Sequence, residues 1–160
     1  MQDTKGCIVK IGAFNQTSDK LTIFDPYFNH NESPFTEYLG LVITGASKGI
    51  WNAYLTILDS HKSKNAELTV IHFMVDVPDF DFVTADWTLI GNITVNSGQA
   101  GIYDLKYHNN NAQNNNTHNV EIVSNGIVSC SGFGNGQYNV FYLTKDNLVV
   151  GIKIVFIDSK

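Results

Sequence analysis

An all-β, antiparallel β-sandwich of about ten strands is the fold class that the sequence predicts, with at most one short helix. Three observations carry this. Apolar residues recur at period two or in short continuous runs; Gly, Asn, Asp and Ser bound those runs; and no stretch of about twelve residues keeps apolar positions at the i, i+3, i+4, i+7 spacing of an amphipathic helix.

The first strand is expected at 7–14 (CIVKIGAF) and the second at 20–24 (KLTIF). The segments 39–44 and 50–58 follow, separated by the glycine-bearing TGASKG. A further strand is read at 66–75. Further strands are read at 87–95, 101–106, 120–129, 137–143 and 147–157. The segment Lys145-Asp146-Asn147 reads as the turn of a C-terminal hairpin, because Asp and Asn tolerate left-handed backbone. In the last strand Val150, Ile152, Ile154 and Phe156 alternate as a core-facing set. Two segments break the pattern. The acidic DVPDFDFVTAD (76–86) reads as a loop or a single helical turn near Asp79 to Asp86, and HNNNAQNNNTHN (108–119) as a flexible surface insertion, too polar to bury anything. No internal repeat and no dividing linker is evident, so residues 1–160 are read as one domain.

Charge and composition narrow the function. The net charge of −5 and the ten basic residues, all lysine, supply no clustered cations for a phosphate backbone, so nucleic acid is not an expected partner. No apolar run reaches the roughly 18 residues of a membrane-spanning helix, and the N-terminus MQDTKGC has no apolar leader, so a soluble cytoplasmic protein is expected, with no membrane contact. Cys7 and Cys130 lack metal-binding or redox spacing and read as buried free thiols.

The motifs that suggest chemistry have plainer alternatives. LVITGASKGIW resembles the glycine-rich turn of short-chain dehydrogenases, but Trp51 replaces the last glycine, a strand-like NAYLTILD follows, and Tyr103 and Lys106 are not spaced as that family's pair; a loop between two strands is the better reading. His30, His61, His72, His108 and His118 show no ligand spacing, and His72 is placed on an outer or edge face of its strand. Asp76, Asp79, Asp81 and Asp86 lack the glycine-turned pattern of a calcium loop. No metal or cofactor is therefore assigned. Ser97 and Ser131 precede glycine, yet neither sits in a nucleophile elbow.

Two glycine-rich β segments remain, NSGQAGIYD (96–104) and SCSGFGNGQYNVFYL (129–143). Either they turn corners or they form a rim open to a ligand. The candidate ligand-binding residues are Asp25, Ser97, Gly98, Asp104, Ser131, Gly132, Gly134, Asn135, Gly136 and Tyr138. The same segments, together with Asp25-Pro26, the stretch from Gly49 to Tyr54 and the stretch from Ala66 to His72, resemble a domain-of-unknown-function family of mainly β proteins from bacteria and microbial eukaryotes. The resemblance implies a β fold and no particular activity. It differs at Asn135, where the family pattern has Asp.

The expected function is a non-enzymatic cytosolic binding module that takes an unknown small molecule or a protein at the glycine-rich rim. One alternative is a hydrolase using Asp25 and Asp104 as a carboxylate pair roughly 5 to 10 Å apart. Another is a structural, self-assembling subunit, favoured by a chain in which only 16% of residues are charged.

Overall fold

The computed structural model describes residues 7–26, 40–58, 64–75, 86–105, 120–123, 125–131 and 134–157. These form eleven strands: β1 (Cys7–Gln16), β2 (Lys20–Phe24), β3 (Leu41–Thr44), β4 (Gly49–Leu58), β5 (Lys64–His72), β6 (Thr88–Val95), β7 (Gln99–Asp104), β8 (Val120–Val123), β9 (Gly126–Cys130), β10 (Gly136–Lys145) and β11 (Leu148–Val155). They build a six-stranded sheet in the order β1-β4-β5-β11-β10-β6 and a five-stranded sheet in the order β3-β2-β7-β9-β8. Every neighbouring pair is antiparallel. The sandwich is thus as the sequence predicts. Among the described residues there is no helix, so none is long and apolar enough to cross a membrane. The expected short helix at Asp79 to Asp86 falls almost wholly, and the 108–119 insertion wholly, outside the described residues.

Inward-facing residues of both sheets, among them Leu21, Ile23, Trp51, Leu68, Val70, Ile102, Ile127, Val140, Ile152 and Ile154, form one core cluster. Ile152, Ile154 and Phe156 join the core as their alternation predicts, but Val150 does not: a bulge there shifts the register, and Val149 enters the core in its place. The C-terminal hairpin turns at Asp146 (φ 54°) and Asn147 (φ 68°), two consecutive left-handed residues that match the twist of the flanking strands. The segment expected as one strand at 120–129 is instead a second hairpin, β8 and β9, with Asn125 at φ 60° before Gly126. Val123 pairs directly with Gly126, so the loop is the two residues 124–125, and Asn125 supplies the left-handed backbone that such a tight loop needs. Two side-chain placements also differ from expectation. Cys7 is exposed and Cys130 half-buried, because both lie at strand ends. His72 is buried, because it stands opposite Trp51, whose indole faces the core.

The pairing registers reveal an internal repeat that the bare sequence conceals. The segment from Lys10 to Asp25 is equivalent to that from Leu89 to Asp104, with identities at Ile11/Ile90, Gly12/Gly91, Ser18/Ser97, Ile23/Ile102 and Asp25/Asp104. Ile23 pairs directly with Ile102, its own counterpart, so a pseudo-twofold axis passes between them. In the other sheet Ala53 pairs with Val70 as Val140 pairs with Ile154, which makes Thr69 the counterpart of Lys153; these two are also directly opposed. The strand order β1-β4-β5 against β6-β10-β11 is accordingly palindromic.

Finer details repeat too. A bulge at Ile11 in β1 and one at Ile90 in β6 interrupt the two outermost ladders at equivalent points. Each is followed by a glycine against which the second sheet closes: a Cβ on Gly12 would lie 3.1 Å from Ile122 and one on Gly91 3.4 Å from Leu41. From Val9 and from Thr88 onward, the burial of β1 and β6 matches residue by residue except at Asn15 and Thr94. The repeat eludes a sequence reading because what persists is the backbone device and the burial class, while most side chains have changed.

Candidate functional site

Asp104 is the last residue of β7 and Asp25 directly follows β2, its partner in the centre of the five-stranded sheet. Both are buried, and each carboxylate receives hydrogen bonds from the turn that leads into the other strand. Asp25 accepts from the backbone N–H of Asn96 and of Ser97, both at 2.7 Å, and from Ser97 Oγ at 2.5 Å. Asp104 accepts from the N–H and Oγ1 of Thr17 at 2.8 and 2.7 Å, and from the N–H and Oγ of Ser18 at 3.3 and 2.5 Å. Thr17 and Ser18 are the counterparts of Asn96 and Ser97. The two carboxylates therefore perform one task twice, pinning the β1–β2 and β6–β7 crossovers between sheets.

This arrangement separates the two acids. Asp104 is opposite Leu21, so four residues of extended strand, roughly 13 Å, lie between it and Asp25 along β2. Each carboxylate is taken up by its own turn, at opposite ends of the β2–β7 pair.

The rest of the glycine-rich rim does converge, around Asp25 and away from Asp104. Gly98, at φ 78° in the β6–β7 turn, accepts through its carbonyl from the N–H of Ser131 at 3.0 Å. Ser131 Oγ donates to Gly134 O at 2.5 Å, and Tyr138 OH donates to the same carbonyl at 2.7 Å. Asp25, Ser97, Gly98, Ser131, Gly134 and Tyr138 thus form a hydrogen-bonded corner. Asn135 and Gly136 are exposed beside it; Gly132 lies outside the described residues. The same corner exists in the other half: Asp104 holds Thr17 and Ser18, Asp19 O accepts from Ala46 N at 2.9 Å, and Trp51 Nε1 donates to Ser47 O at 2.8 Å. Trp51 and Tyr138 are counterparts, each reaching back four residues to a carbonyl. Trp51 meets His72 edge-on at 5.8 Å, as Tyr138 meets Phe156 at 5.4 Å. His72 adds what Phe156 cannot, bonding Lys48 O through Nε2 at 2.7 Å and accepting from Met74 N at Nδ1, which sets the Nε2–H tautomer.

On the outer face of the six-stranded sheet, Tyr54, Thr69, Lys153 and Phe141 stand side by side across four strands. Lys153 is only 9% exposed, with its ammonium 4.7 Å from the Trp87 ring centroid and 5.5 Å from that of Phe141. Burial lowers its pKa, against the opposing charge of Glu67. Thr69 is 1% exposed, and its hydroxyl has no hydrogen-bond partner among the described residues. Burial likewise raises the pKa of Tyr54 and of the Cys130 thiol.

The surface feature that sequence reasoning missed is the sheet edge. In β1 the residues Cys7, Ile8, Val9 and Lys10 are all exposed, Ile8 by 44% and Val9 by 39%, and among the described residues β1 pairs with β4 alone. Its only signal in the sequence is a strand with a single charge. No family model, curated protein or solved structure matches the chain.

Proposed function

We propose that the chain is a non-enzymatic binding module whose partner adds an extended strand to the edge of the six-stranded sheet at β1. What carries this reading is the exposed stretch Cys7, Ile8, Val9 and Lys10, which offers main-chain donors and acceptors beside apolar side chains on both faces. The glycine-rich rim is less suited to a ligand, because the polar groups of Asp25, Ser97, Ser131 and Tyr138 are engaged in holding turns. An exposed free thiol at Cys7 fits a reducing compartment, which supports a cytoplasmic setting.

The test is a panel of synthetic seven-residue peptides of high β propensity, titrated against the full chain by fluorescence anisotropy. Apolar peptides bind in the micromolar range, and Val9→Lys weakens them at least tenfold while Leu89→Lys on the opposite edge does not. Binding indifferent to Val9→Lys would remove the edge from the reading. Turnover of ester, phosphate or glycoside substrates above blank, lost in Asp25→Asn, would remove its non-enzymatic part.

A further inference from the structure

We infer that the strand added to β1 is β1 of a second copy of this chain, in a twofold dimer whose axis passes through Ile8. The inference rests on the edge reading above and names its partner. Three features lead to it. The flat part of the edge is short, because the bulge at Ile11 interrupts the ladder immediately after Lys10. A stretch of that length is matched best by an identical one, and self-complementary twofold contacts are the commonest mode of assembly. The equivalent edge on β6 has only Thr88 and Leu89 ahead of its bulge, so it is the poorer partner.

Side-chain chemistry then fixes the register. With the axis at Ile8, Ile8 faces Ile8 of the second copy, as Ile23 faces Ile102 inside the molecule, and Cys7 faces Val9 of the second copy. No charged side chain falls within these three opposed positions. The two Lys10 ammoniums stand beyond them at opposite ends, with four residues of strand, roughly 14 Å, between their α-carbons. A register centred on Val9 would instead bring the two lysines to diagonal neighbours, about 8 Å apart.

Sedimentation velocity on the full chain between about 1 and 200 μM is the first measurement. The expected result is a concentration-dependent rise from 17.7 kDa to twice that mass. Ile8→Lys places two cations face to face and raises the dissociation constant more than tenfold; Leu89→Lys leaves it unchanged. A second variant reads the register. Val9→Cys sets a thiol opposite Cys7 of the second copy, and mild oxidation cross-links it into a covalent dimer that adding Cys7→Ser abolishes. The wild-type chain does not cross-link, since its two Cys7 residues are diagonal and beyond disulfide reach. A strict monomer at 200 μM, a dimer indifferent to Ile8→Lys, or a dimer that Val9→Cys fails to cross-link overturns the inference. Peptide binding by a chain that stays monomeric would overturn this dimer and leave the edge reading standing.

Discussion

At the residue scale the molecule holds its polar groups in pairs. Asp25 and Asp104 each satisfy backbone donors that would otherwise be buried without partners. Replacing either with alanine costs about 3 kcal/mol by urea denaturation, through donors left unsatisfied. Because the sites lie far apart, the double variant loses close to the sum. Lys153 and Thr69 lie on the axis and work against stability. A lysine whose pKa is lower folded than unfolded binds its proton more weakly in the native state. Its cost is therefore full at neutral pH and fades as pH rises through the window between the two values. Lys153→Met accordingly raises the Tm at pH 7, by ~2–4 °C for each ~1 kcal/mol recovered, and its advantage over wild type narrows towards pH 10. Thr69→Val removes a buried, unpartnered hydroxyl and also stabilises, by about 1 kcal/mol.

At the scale of elements, legibility in the sequence followed the reach of the signal. Strands and turns set by neighbouring residues could be read directly: the C-terminal strand β11, the Asp146-Asn147 turn, and the TGASKG loop between β3 and β4. The β8–β9 hairpin was missed because Asn125-Gly126 lies inside an apolar run. The position of Asp104 was missed for a different reason. Its partners Thr17 and Ser18 are 87 and 86 residues away, and only the sheet pairing brings them together. Sequence grouped Asp25 with the glycine-rich segments correctly and Asp104 with them wrongly, since two similar carboxylates gave no hint of which turn each would serve. The hairpin turn offers a direct check of local backbone preference. Asn147→Gly, at φ 68°, relieves the remaining left-handed cost and stabilises by about 0.5 kcal/mol in thermal melts.

At the scale of the whole molecule the two halves interlock. Each contributes three strands to one sheet and at least two to the other, and their interface is the centre of the common core. Unfolding is accordingly expected to be one cooperative transition. In a Trp87→Phe variant the fluorescence of Trp51, which reports the first half, and far-ultraviolet circular dichroism, which reports both, give coincident urea midpoints. Two separated midpoints would show halves that melt independently.

The pairing of Ile23 with Ile102 and of Thr69 with Lys153 also governs how the chain is made. During synthesis β2 and β5 emerge long before β7 and β11, so the first half waits with a bare apolar margin in each sheet. Over that interval the nearest substitute for the missing strands is the first half of another nascent chain, which carries the counterpart of every strand it lacks except β8. The second half must therefore arrive before that exchange does, and slow or stalled translation between β5 and β7 would favour entangled chains over finished monomers.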